Sequence, residues 1–206
     1  AAGIDLGGSV EAGSTVVVTF DGNVYNNVTV DAAGNWSVTI PAGDVRGGAY
    51  AANISVEATD HVGNLATIED TLSIDTAAPD GPVIASFTRD GDGIRGISIE
   101  TEMVNGALTT DVQSLVQVQA DGTISDVAGQ QGFNSLRGET DFVFNNDVPN
   151  GSQLIVNSTD AAGNTSGTFL VLDDEAATNS VDLTNMALGD YQIKTLILIL
   201  PKRPVL

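Results

Sequence analysis

The apolar positions of this chain alternate with polar ones in short runs, and turn residues end each run. Ser14–Phe20 (STVVVTF), Val24–Val30 (VYNNVTV), Asn35–Ile40 (NWSVTI), Tyr50–Thr59 (YAANISVEAT) and Leu65–Ile74 (LATIEDTLSI) are separated by clusters of Gly, Asn and Asp. Period two in Val, Ile, Thr and Tyr, broken every ~8–12 residues, predicts an antiparallel β-sandwich. With Ile4–Val10 the first half holds six strands, one short of an immunoglobulin-type sandwich, so its first strand is expected to be missing. Asp75–Pro82 (DTAAPDGP) stops both strand and helix and marks a boundary. Beyond it the pattern restarts at Val83–Thr88, Ile94–Thr101, Leu115–Gln119, Thr123–Val127, Asp141–Asn145, Gln153–Thr159 and Thr165–Leu172. The fold class is therefore all-β, two tandem immunoglobulin-like β-sandwiches. The domains are expected at 1–77 and 78–178, followed by a C-terminal extension at 179–206. Thr195–Leu200 (TLILIL) is expected to pair with sequence outside this chain.

The two halves repeat. Glu57-Ala58-Thr59-Asp60-His61-Val62-Gly63-Asn64 parallels Asn157-Ser158-Thr159-Asp160-Ala161-Ala162-Gly163-Asn164, an offset of 100 residues (160 − 60). The run from Val10 to Pro79 resembles a bacterial immunoglobulin-like repeat of the giant surface adhesins, including the repeats-in-toxin (RTX) biofilm adhesins. Gly151–Asp174 and Ser180–Ile193 resemble the C-terminal end of their extender regions. The resemblance implies a structural, non-enzymatic module on the outside of a bacterial cell, part of a longer protein. Its partners would be neighbouring repeats of the same chain, and a surface glycan or peptide reached through an adjacent domain. A monomer is expected.

Charge sharpens this picture. The 206 residues carry 27 Asp+Glu against 7 Lys+Arg, a net charge of −20, although only 17% are charged. That fraction is below the ~25% usual for soluble proteins, so bases are scarce rather than acids abundant. Nucleic acid and anionic membrane surfaces, which need clustered Lys and Arg, are excluded as partners. No apolar run reaches the ~18 residues of a membrane-crossing helix. There is no cysteine and a single histidine, His61, which removes thiolate chemistry and any two-imidazole site.

Letting each strand reverse direction sorts the acidic loops onto two poles. Asp75, Asp80 and Asp160 are expected at the domain junction, near Asp21 or Asp44. Asp90 and Asp92 are expected to meet Asp173 and Asp174 at the far end. Two carboxylates ~5 Å apart repel by roughly 3 kcal/mol at an effective dielectric of ~20. A hard divalent cation with oxygen ligands relieves this, so Ca²⁺ is the expected cofactor. The competing reading is that Asp-x-x-Gly-Asn is turn chemistry alone. Trp36 is read as core packing, Tyr50 as a tyrosine corner and His61 as solvated. A sugar- or peptide-binding site in the second half, built on Asn105–Ser114 and Ala128–Gly138, is the alternative function.

Overall fold

The computed structural model describes residues 3–90, 93–101, 103–104, 107–108, 111–172, 184 and 186–199. The chain divides into two units, Ala1–Ala77 and Ala78–Leu206.

Unit 1 holds seven strands: β1 (Ile4–Ser9), β2 (Thr15–Phe20), β3 (Asn23–Tyr25), β4 (Thr29–Val30), β5 (Asn35–Ile40), β6 (Ala49–Thr59) and β7 (Leu65–Asp75). They form two antiparallel sheets, β1-β5-β4 and β3-β2-β6-β7. The predicted single strand Val24–Val30 is a correction: it is split. Its first part pairs with β2, and Thr29–Val30 pairs with β5 in the opposite sheet. The two consecutive asparagines Asn26 and Asn27, poor strand formers, lie where the chain leaves one sheet for the other. Alternate residues of each strand then meet between the sheets. Val16, Val18, Phe20, Val38, Ile40, Ala52 and Ile74 form the buried core.

Unit 2 repeats this plan and adds to it. Its strands are β8 (Ile84–Asp90), β9 (Gly93–Glu100), β10 (Met103–Val104), β11 (Ala107–Leu108), β12 (Val112–Val118), β13 (Ile124–Asp126), β14 (Gly129–Asn134), β15 (Glu139–Pro149), β16 (Gln153–Thr159), β17 (Thr165–Leu172) and β18 (Ile193–Ile199). The two large sheets run β14-β15-β9-β8 and β13-β12-β16-β17-β18. Matching sheet order makes β9 the counterpart of β1, β15 of β5, β12 of β2, β16 of β6 and β17 of β7. Strands β8 and β18 have no counterpart among the described residues of unit 1. The core between the sheets contains Ile94, Ile97, Ile99, Phe142, Phe144, Leu154, Val156, Leu170 and Leu172. A second apolar layer, Val116, Ile155, Phe169 and Val171, lies on the outer face of the β17 sheet and packs with Leu188 of the 3-10 segment Met186–Tyr191.

One further sequence expectation changes here. The run Thr195–Leu200 does not wait for outside sequence: Ile193–Ile199 lies parallel on β17, with Phe169 opposite Leu196 and Leu172 opposite Ile199. Gln130–Phe133 pairs along β15 in unbroken register, and β15 shifts register against β9 between Val143 and Val148. The architecture is that of two tandem immunoglobulin-like β-sandwiches.

Candidate functional site

One turn occurs three times. Asp31, Asp60 and Asp160 each open an Asp-x-x-Gly-Asn loop between two strands. Each Oδ1 accepts two backbone N–H groups, from the third and fifth residues of the loop, at 2.8–2.9 Å. Each Oδ2 accepts the amide of Asn35, Asn64 or Asn164 at 2.6–2.9 Å. The asparagine is the largest cause holding all three carboxyls below the usual range. These acids are therefore turn formers, and three of the four lone-pair sites of each carboxylate are already used.

The pole of unit 1 that carries Asp21 and Asp44 is closed by internal partners. Asp21 Oδ1 accepts the Asn53 N–H at 3.0 Å, and its Oδ2 accepts the Arg46 guanidinium at 2.9 Å. The Asn53 bond, more than Arg46, lowers the Asp21 carboxyl pKa. Arg46 also lies over the Tyr50 ring, 4.1 Å from its centroid, while its backbone N–H donates to Tyr50 Oη at 3.0 Å. That bond from the phenol back to a residue upstream is the tyrosine corner. Asp44 Oδ2 accepts the Tyr25 hydroxyl at 2.6 Å. Burial first, and this bond second, push the Tyr25 phenol up to about 12. Asp75 ends β7 and its Oδ1 accepts the Ala77 N–H.

In unit 2, Asp80 exposes its side chain, and its carbonyl accepts the Ser166 hydroxyl at 2.9 Å. The neighbouring Pro82 carbonyl takes the Thr168 hydroxyl at 2.6 Å, and Pro79 takes the Lys194 ammonium at 2.6 Å. Asp90 is exposed at the end of β8. Asp92, Asp173 and Asp174 lie outside the described residues.

An acid not foreseen from sequence is Asp111. The register that pairs Val112 with Thr159 sets it beside Asp160. Burial, with the Asp160 charge second, raises its carboxyl pKa. By strand alternation Gln113 shares that face, and its Oε1 is buried without a partner. The sequence signal was weak, because Asp111 becomes a neighbour of Asp160 only through a pairing 49 residues apart (160 − 111). Among the described residues, no three Asp, Glu or His side chains come within reach of one ion.

Unit 1 also carries an open groove of about 670 Å³ between β1 and the β6–β7 hairpin. Leu6–Val10, Trp36, Ile54, Val56, Ala66 and Ile68 form its walls, and Glu11, Asp60 and Asp70 line it as well. Trp36 is half-buried against the core and also forms a wall of this groove. His61 is exposed.

Residues 1–75 match the family described as bacterial Ig domain. The matched residues fall within unit 1. A solved structure, from work on host cell surface retention of a 1.5-MDa bacterial ice-binding adhesin, shares 24% identity with the chain. The match covers 81% of this chain and 55% of that one, at a TM-score of 0.47. The chain thus spans about half the length of that structure. No curated protein matches the chain.

Proposed function

We propose that this chain is an extender and adhesion module of a large bacterial surface protein, holding a distal binding domain away from the cell, with Ca²⁺ stiffening its joints. The observation that carries the reading is the tandem itself. A bacterial Ig domain at residues 1–75 is followed by a second sandwich with the same strand plan and the same turn 100 residues on (160 − 60). Such modules act by length and stiffness, and the connection between the units is short. Thr76 is held on unit 1 by the Gly48 N–H and carbonyl, and Ala77 by Asp75. From Pro79 onward the chain is held on unit 2 by Lys194, Ser166 and Thr168. An extracellular setting and a non-enzymatic role belong to the same reading.

What supports the calcium part of the reading is a set of oxygens near Asp160: its one remaining lone-pair site, the Asp111 carboxylate and the unpartnered Gln113 Oε1 on the same face are of the kind Ca²⁺ takes. Asp111, Asp160 and Gln113 would hold the ion. Bound there, it would neutralise the acidic pair. Small-angle scattering of the full chain in millimolar calcium and in chelator tests the joint. The maximum dimension and the flexibility should change between the two, and Asp160→Asn should abolish the response. An unchanged profile would remove calcium from the proposal.

A second reading, ligand binding by unit 2, draws on a shallow groove of about 450 Å³ lined by Gln130, Gln131, Phe133 and Leu136. A glycan array probed with the full chain, and with Phe133→Ala, tests it.

A further inference from the structure

The chain enters unit 2 at one end of the sandwich, and β18 finishes at the other. The entry is Pro79–Pro82, which lies along the start of β17. The Pro79 carbonyl accepts the Lys194 ammonium, the Asp80 carbonyl the Ser166 hydroxyl and the Pro82 carbonyl the Thr168 hydroxyl, at 2.6–2.9 Å. A Cβ on Gly81 would lie 3.6 Å from the Lys194 Cβ and 3.7 Å from Thr168 Oγ1, so the entry runs between β17 and β18. Because β18 is parallel to β17, it starts near that entry, with Ile193 beside Gly167, and finishes at the far end, with Ile199 beside Leu172. Strand β8 runs the same way. It starts at Ile84, just past the entry, and turns at Asp90–Gly93. Gly93 pairs with Pro149, and the next turn is tied to the far end of β17 by the Gly151 N–H on the Leu172 carbonyl at 2.6 Å.

This layout decides how tension acts on the fold. A pull between Pro79–Pro82 and the end of β18 runs along β8 and β18, not across them. To leave, β18 must slide lengthwise over β17. The five successive pairs from Thr168 with Thr195 to Leu172 with Ile199 then share the load and break together. A strand peeled sideways from one end gives up its pairs one at a time, each under the whole force. Side chains add to the resistance. Ile199 is 3% exposed within the core, Ile197 packs against the same core, and Ile193 packs against the outer apolar layer. Sliding drags all three past their partners. We infer that unit 2 is built to carry tension, and that the β17–β18 ladder is a mechanical clamp, sheared between the Pro79–Pro82 entry and the end of β18. The inference rests on the extender reading for the source of the tension. Its content is the direction of strength: unit 2 resists a lengthwise pull and yields to a sideways one. Equilibrium stability does not report this, because forced unfolding is governed by the unfolding barrier.

Single-molecule force spectroscopy on the full chain tests it. The chain has no cysteine, so introduced thiols are unique attachment points. Asp80 and Asp190 have exposed side chains and keep their backbone bonds to Ser166 and Thr165 when replaced. In the first arrangement the handles are Asp80→Cys and a cysteine added after Leu206, which loads β18 lengthwise. In the second they are Asp80→Cys and Asp190→Cys, which peels β18 from its start. The high-force rupture of the first arrangement should be lost in the second. Ile199→Ala, with its fold checked by circular dichroism, should lower the rupture force in the first arrangement and leave the second unchanged, because peeling reaches Ile199 last. Equal rupture forces in the two arrangements would overturn the inference. So would a low-force first step in the lengthwise pull that frees only the chain after Leu172. Either result would leave the extender reading to its scattering test, and an unchanged scattering profile would leave the clamp to this one.

Discussion

Gly34 and Gly63 occupy the same place in the same turn, at φ of 86° and 93°, yet their surroundings differ. A Cβ built on Gly63 meets nothing within 4 Å, whereas one on Gly34 would lie 2.1 Å from the Val10 carbonyl oxygen. An alanine at either site bears the left-handed backbone cost of about 1–2 kcal/mol. At Gly34 it must also push away the β1 end, where the Val10 N–H donates to the Gly34 carbonyl at 2.8 Å. Losing that bond and leaving its groups unpaired adds about 1–3 kcal/mol. Gly34→Ala should therefore cost about 2–5 kcal/mol and Gly63→Ala about 1–2 kcal/mol. Urea unfolding followed by Trp36 emission measures unit 1 in the intact chain. With a slope near ~1 kcal/mol/M, the two midpoints should differ by roughly 1 M or more. Equal midpoints would refute the claim that this turn is locked against β1.

Acid should weaken both units through their lowered carboxyls, with Asp111 acting against that trend in unit 2. Asp21, Asp31 and Asp60 have lowered pKa values, so the stability they lend unit 1 is present above the ordinary carboxyl value of 3.8 and is lost as pH falls below it. Asp111 has a raised pKa, so its folded form gains protons first, and its contribution to unit 2 improves as pH falls from neutral towards 3.8. Urea midpoints against pH, read by Trp36 for unit 1 and by circular dichroism for both units, should show the loss in acid, and the difference between the parent and Asp111→Asn should isolate the opposing Asp111 contribution. Thr168→Val keeps the shape but leaves the Pro82 carbonyl without its buried donor, and should destabilise unit 2 by about 1–3 kcal/mol by calorimetry. Its counterpart Ile68→Val in the open groove should cost nothing measurable.

Local pattern revealed much of the fold. Asn35–Ile40 is a strand with the bounds its alternation predicts, because period two and flanking turn residues are local properties. Tyr50 was legible for the same reason: the Gly47-Gly48 break and the start of a strand bring its hydroxyl back to Arg46. Two failures had non-local causes. Val24–Val30 reads as one strand, yet its two ends pair with partners in different sheets. The apolar run near the C-terminus is a strand, but its partner β17 is chosen by the open edge of a sheet. The acidic residues divide in the same way. The three Asp-x-x-Gly-Asn turns close within five residues and can be read as turns. The setting of Asp111 requires a strand pairing that the sequence does not announce.

By itself, then, the sequence determined an all-β chain in two repeating halves, a shortage of bases, and the turns that join the strands. Each of these follows from side-chain alternation and backbone preference within about ten residues. Tertiary structure decided which edges are covered. The same repeat is closed in unit 2, where Pro79–Pro82 and β18 lie on β17. It is open in unit 1, where β7 exposes Leu65 and Ile68. Burial of an edge depends on which distant segment reaches it, and no local pattern encodes that.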